Sequence, residues 1–165
     1  MSLSARYYSC FFTGHRIIGN DILRRRLFEE LKKRIVFLSR EKGVDRFICG
    51  GAIGFDAMAA EAVIEAKKIL PYIKLIIYVP CHNHYAKWNS AQVDQWKNIL
   101  KSADDAIYIT HGTYNDECMK KRNRAMADSA HYCIAYCIRR TSGTGSTLAY
   151  AERLNCEIYN LIEYL

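Results

Sequence analysis

Short runs of consecutive apolar residues alternate along the chain with longer stretches in which apolar positions recur every three or four residues. Uninterrupted runs suit strands buried on both faces, and the wider spacing suits helices that cover one stripe. Strands are expected at residues 7–13, 46–49, 74–79, 106–110, 132–137 and 157–161, and helices at 21–42, 55–70, 92–101, 116–129 and 146–154. In the first of these helices, Ile22, Leu23, Leu27, Phe28, Leu31, Ile35 and Leu38 form the stripe. Strict alternation of strand and helix points to an α/β fold: three α/β/α layers around a mainly parallel sheet.

Ligands of such sheets bind beyond the carboxyl ends of the strands, so the loops there hold the candidate chemistry. After the second strand the chain breaks at Gly50, Gly51 and Gly54 and turns into an alanine-rich helix carrying Asp56 in its first turn. Glycines allow a tight turn and close approach of an anion to the N–H groups of a helix start. Two other readings stay open: glycine is ordinary in strand-to-helix turns, and Asp56 in a first turn can cap the backbone. The dinucleotide fingerprint is incomplete, because Cys49 stands where a further glycine belongs and no acidic residue follows at the ribose-binding distance.

The first strand runs into Thr13-Gly14-His15-Arg16, where the planar guanidinium suits phosphate and the imidazole suits either proton transfer or a local backbone bond. The fifth leads to Thr141, Ser142, Gly143, Thr144, Gly145, Ser146 and Thr147, glycines and hydroxyls ahead of a helix. That composition fits a phosphate loop without a lysine, and equally a flexible turn ending in a capping hydroxyl.

Half of the 165 residues are hydrophobic, enough for a full core, and no linker or repeat divides residues 1–165, so a single domain is expected. No apolar run approaches the roughly 20 residues that cross a bilayer, so no membrane partner is expected. Met1-Ser2-Leu3 lacks the apolar core of a secretory signal and reads as a cloning remnant. The seven cysteines are an odd number without framework spacing, which fits reduced thiols in a cytoplasm. A formal charge of +7 favours phosphate-bearing partners, although Arg24-Arg25-Arg26, Lys32-Lys33-Arg34 and Lys120-Lys121-Arg122 fall mostly on wet helix faces. Cys81-His82-Asn83-His84 superficially suggests a metal cluster, but no partner pair completes a tetrahedral set, and no metal is expected. Tyr85 and Trp88 beside it offer faces for a base or for core packing.

Together, Thr13 to Arg16, Gly50 to Asp56 with Ala59, Ala60 and Glu61, Val79-Pro80, Trp88-Asn89, Ala103-Asp104, Arg122-Asn123, Asp128-Ser129, and Gly143-Thr144 with Tyr150-Ala151 resemble a known superfamily. It joins the DNA-processing protein DprA (SMF) with the LOG phosphoribohydrolases, and the chain looks most similar to its YpsA-like branch. The resemblance covers nearly the whole chain and implies a Rossmann-like fold with a pocket for a nucleotide or nucleotide-derived ligand, an ADP-ribose-like compound included. No other cofactor is implied.

LOG enzymes carry a Met-x-x-Arg-Lys-x-x-Met helix and a Pro-Gly-Gly-x-Gly-Thr-x-Glu-Glu loop. Met119, Arg122 and Met126 are similar to the first, with Asn123 in place of lysine, whereas Leu148 and Ala149 stand where the second has its glutamates. Hydrolysis of an N-glycosidic bond needs a carboxylate that neither supplies, and Asp56, Asp116 and Glu117 are substitutes that the sequence does not place against a sugar. The resemblance thus selects Arg122 as a phosphate ligand and Asn123 as a partner for base or ribose, and leaves no catalytic residue assigned. A small-molecule nucleotide ligand, held by a sensor or a ligand-processing protein, ranks first. LOG-type hydrolysis and DprA-like single-stranded nucleic-acid binding follow, and homo-oligomerisation stays open.

Overall fold

The computed structural model describes residues 3–165. Met1 and Ser2, most of the suggested cloning remnant, lie outside the described residues, and Leu3 opens the short helix α1 (Leu3–Tyr7). Six strands follow: β1 (Ser9–Gly14), β2 (Arg46–Cys49), β3 (Lys74–Val79), β4 (Asp105–Tyr108), β5 (Tyr132–Tyr136) and β6 (Glu157–Asn160). Between them run α2 (Asp21–Lys42), α3 (Phe55–Ala66), α4 (Ser90–Ser102), α5 (Asp116–Asp128) and α6 (Gly143–Arg153), and a short 3₁₀ turn (Leu161–Tyr164) ends the chain.

The sheet has the order β4-β3-β2-β1-β5-β6 and every adjacent pair is parallel, with Phe11 opposite Ile48 on one side and Cys133 on the other. Apolar side chains fill both of its faces, and the two-residue period of a strand sorts them. Phe12, Phe47, Ile77 and Ile134 join α2, α3 and α4 on one face. Phe11, Ile48, Ile76 and Cys133 join α5 and α6 on the other. The Rossmann-like three-layer α/β/α fold is therefore present, and its sheet is wholly parallel.

Local signals fix the helices. Asn20 caps α2 by accepting from the Leu23 amide at 2.9 Å, and Gly43 closes it with φ 73°. The buried stripe of α2 is Leu27, Leu31, Ile35 and Leu38, each worth about 1.5–3 kcal/mol of burial, whereas Ile22, expected in the stripe, lies in the first turn and is exposed. Asn89 and Gln92 form a reciprocal capping box at the start of α4. At the edge of the sheet, Asp104 binds Lys67 at 2.7 Å and the Leu75 amide at 2.8 Å, tying α3 to β3.

Many boundaries differ from the sequence expectation, mostly by one or two residues, and three differences stand out. β1 begins at Ser9, because residues 3–7 coil into α1 and leave Tyr7 and Tyr8 about half exposed. α3 ends at Ala66. α6 begins at Gly143, three residues before the expected start at 146, which places the glycines of that loop in the first helical turn.

Candidate functional site

The chain leaves β1 toward β2 and leaves β5 toward β6, in opposite directions across the sheet. Loops part at such a switch point and leave a crevice at the carboxyl ends of the two strands. A cleft of about 480 Å³ opens there. Thr13, Gly14, His15 and Arg16 form one wall, Ser142, Gly143 and Thr144 the opposite one. Arg122, Asn123 and Lys120 of α5 line it together with Ala52 and Asp56 from the turn after β2.

The turn after β5 presents a helix start to this cleft. The Ser142 hydroxyl donates to the Arg139 carbonyl at 2.5 Å and accepts from the Gly145 amide at 3.2 Å, so Ser142 caps α6 and its backbone is locked. Apart from its chain neighbours and the backbone of its own helix, no atom lies within 4 Å of where a Cβ on Gly143 would stand, leaving the first helical residue open. Gly145 is different: its Cβ position lies against the Arg140 carbonyl, so its role is close packing. Ser146 and Thr147 do not line the cleft; they face an adjoining groove of about 340 Å³ between α5 and α6.

The turn after β2 is built otherwise. Of its expected residues only Asp56 reaches the cleft, with Ala52 beside it; Gly50, Gly51 and Gly54 do not line it. A Cβ on Gly50 would stand 2.6 Å from Arg122 and 2.7 Å from Asp56. Gly54, at φ 77°, would place one 2.1 Å from the Arg16 carbonyl oxygen. The first amide of α3, Phe55, already donates to the His15 carbonyl at 3.1 Å. The space that these glycines create is thus occupied by the protein.

Two charged side chains meet at that turn. Arg122 is only 3 % exposed; it donates from Nη1 to the Gly50 carbonyl and from Nε to Asn123 Oδ1 at 2.8 Å. Asp56 accepts from the Ala52 amide at 3.3 Å. Burial pushes its carboxyl above the ordinary value, against the pull of Arg122, the Ala52 amide and Arg16. The guanidinium and the carboxyl therefore form a buried polar floor under the cleft, while exposed Arg16 and Lys120 stand at its rim.

His15 resolves between the two roles that its sequence position left open. Its Nε2 accepts from the Ile138 amide at 2.8 Å, so the proton sits on Nδ1 and the ring joins the loops after β1 and β5. Burial, with Arg139 nearby, holds its pKa below the ordinary histidine value and favours this neutral form.

Other cleft residues carried little sequence signal. Tyr114, half exposed in the loop before α5, joins no periodic pattern, yet it lines the cleft and its amide donates to Asn83 Oδ1 at 2.8 Å. Asp116 also reaches the cleft. Within residues 81–84, His84 bonds the Gly51 carbonyl at 3.0 Å and sits edge-on to Tyr85, Trp88 and Trp96; neither Tyr85 nor Trp88 lines the cleft. Among the described residues no group of three or more His, Cys, Asp or Glu is placed to hold a metal ion, and no helix is long and apolar enough to cross a membrane. All seven cysteines are free, and burial raises the Cys49 and Cys133 thiols well above the ordinary value.

A parallel α/β sheet with a capped helix start and basic residues around its switch point defines a class of proteins, and comparison places the chain within one family of it. The family model described as the YspA SLOG family (YpsA) matches residues 19–154, and the chain belongs to that family. It is 33 % identical over 119 residues to the uncharacterized SPbeta prophage-derived protein YoqJ of Bacillus subtilis, covering 66 % of this chain and 70 % of that one. It is 30 % identical over 107 residues to a UPF0398 protein of Bacillus pumilus, covering 64 % of this chain and 57 % of that relative.

Among solved structures, DNA processing protein A (DprA) from Streptococcus pneumoniae shares the fold with a TM-score of 0.69 at 16 % identity, over 93 % of this chain and 50 % of that one. DprA from Helicobacter pylori, described with a single-stranded DNA binding mode, gives 0.64 at 17 %, over 92 % and 64 %. The chain thus spans between half and about two thirds of these DprA chains.

Proposed function

We propose that the cleft between β1 and β5 binds a nucleotide or nucleotide-derived small molecule, in a sensor or a ligand-processing protein. The observation that carries this reading is the convergence of an open, capped helix start at Gly143 with Arg16, Lys120 and the buried Asp56–Arg122 floor. Exposed amides and cations suit phosphate oxygens, and a carboxyl on the floor suits sugar hydroxyls. The volume of about 480 Å³ lies in the ordinary range for small-molecule pockets. Membership of the SLOG family supports the same reading.

Hydrolysis of the LOG kind is disfavoured. Leu148, standing where that loop has its first glutamate, is wholly buried among Phe11, Ile48 and Met126. Asp56 and Asp116 are the carboxyl groups that the cleft offers instead.

The test is a thermal-shift screen over nucleotides, dinucleotides and ADP-ribose derivatives, with calorimetry and product analysis on every hit. Saturable binding that Arg16→Ala weakens is expected, with no free base released. Released base would make the protein an enzyme, and no shift from any compound would remove the reading. A nucleic-acid ligand draws on the DprA likeness and the charge of +7, and predicts oligonucleotide affinity that falls steeply with salt.

A further inference from the structure

The groove between α5 and α6 is continuous with the cleft, since Lys120, Asn123 and Gly143 line both. Three concavities meet near the switch point, and their charges differ. The cleft contains Asp56 and Asp116, and the groove on the far side of Arg16 contains Glu29 and Glu61. The α5–α6 groove contains no carboxylate and three cations, Lys120, Arg124 and Arg153.

Among the described residues, no carboxylate lies within 4.0 Å of Arg124 or Arg153, while Lys120 reaches Glu117 at 3.6 Å. Both guanidinium groups are held over one ring: Arg124 lies 5.5 Å and Arg153 5.7 Å from the Tyr150 centroid. The Tyr150 hydroxyl is itself fixed, donating to Asp128 at 2.7 Å. Neither guanidinium has a direct carboxylate partner, since Asp128 is held by the ring hydroxyl, and an anion between the two like charges would relieve their repulsion.

We infer that this groove is a second anion subsite of the cleft, and that the ligand is a nucleotide with two separated anionic groups. One group would lie at the start of α6 and the other against Arg124 and Arg153. The inference rests on the nucleotide reading proposed above. The run of cations is short: α6 has eleven residues, roughly 16 Å at about 1.5 Å per residue, and Asp128, bound to the Tyr150 hydroxyl, sets a negative charge beside it. That length suits a compact ligand better than a polymer.

The experiment is calorimetry at fixed salt with the four ribonucleoside 5′-monophosphates, the four 3′,5′-bisphosphates and a ten-residue thymidine oligonucleotide. For the base that binds, the bisphosphate is expected to bind at least about tenfold more tightly than the monophosphate. Arg124→Ala and Arg153→Ala, both at exposed positions, should remove that gain and leave monophosphate affinity within about twofold. Equal affinity for the two forms, or a gain that survives both substitutions, overturns the second subsite while the cleft reading stands. Oligonucleotide binding tighter than every bisphosphate, and weakened by the same substitutions, overturns it in favour of a polynucleotide. If none of the eight nucleotides binds, the second subsite is overturned, and the cleft reading falls with it only when the wider screen above is also negative.

Discussion

The turns after β2 and β5 look alike as sequence, each with glycines between an apolar strand and a helix, yet they serve different ends. After β2, the space freed by Gly50 and Gly54 is taken by Arg122, Asp56 and the Arg16 backbone. After β5, Gly145 packs on Arg140 in the same manner, while Gly143 stays open to the cleft. A missing Cβ marks close approach by something, and the fold decides whether that is protein or ligand.

The hardest test of this contrast is Gly54→Ala. The new Cβ would meet the Arg16 carbonyl at 2.1 Å from a backbone with φ 77° and ψ −123°. Strain and clash together should cost about 3–5 kcal/mol, read by urea denaturation. A loss below about 1 kcal/mol would mean that the turn yields freely.

Arg122→Ala comes next, because it strips the Gly50 carbonyl of its donor and leaves Asp56 buried without its nearby cation. A loss of about 2–3 kcal/mol is expected from the charged hydrogen bond alone, measured in the same denaturant series. The carboxyl of Asp56 should also move further up on titration, since the lowering influence of Arg122 is gone.

A control away from both turns is acid titration of the Asp104 link. Burial raises this carboxyl, but the bonds from Lys67 and the Leu75 amide outweigh it and hold the group below its ordinary value. The folded value is the lower one, so the stabilisation is present above about pH 4, the unfolded value, and fades as pH falls through the folded value. Asp104→Asn should cost about 1 kcal/mol at neutral pH and flatten the acid limb of the stability curve. An unchanged acid limb would show that the link carries no pH dependence.

Gly143→Ala is the smallest expected change in stability and separates the two turns most sharply. Beyond its own helix backbone and chain neighbours nothing lies within 4 Å of the new Cβ, and alanine favours the helix by up to about 1 kcal/mol, so the melting temperature should hold or rise. Nucleotide affinity should nevertheless fall, because the methyl group enters the cleft beside the first amides of α6. Unimpaired affinity would place the anion elsewhere.

Much of the fold was legible because its signals are local. The bounds of α2, β2 and β3 match the expectation residue for residue, each set by an uninterrupted apolar pattern between capping, glycine or proline residues. Misreadings fell where aromatic or glycine content misleads: Tyr7 and Tyr8 have strand propensity but lie at the end of α1, and Gly143 and Gly145 look like loop yet begin α6. Within the site, Gly14, His15, Arg16, Asp56, Arg122, Asn123, Ser142, Gly143 and Thr144 come together in one cleft, while Gly50, Gly51, Gly54, Gly145, Ser146 and Thr147 lie outside it. Tyr114 could not be singled out, since a lone aromatic in a loop carries no spacing.

The sequence by itself determined the alternation of strands and helices, the helix caps and the loops where chemistry is to be sought, because each depends on side chains a few residues apart. Tertiary structure alone decided what fills each gap: that Arg122 on α5 reaches Gly50 across 72 positions of chain, that His15 accepts from Ile138, and that Arg124 and Arg153 share one tyrosine. Those meetings depend on how α5 and α6 cross the sheet, and packing of whole layers, unlike a cap or a stripe, leaves no mark within a short window of residues.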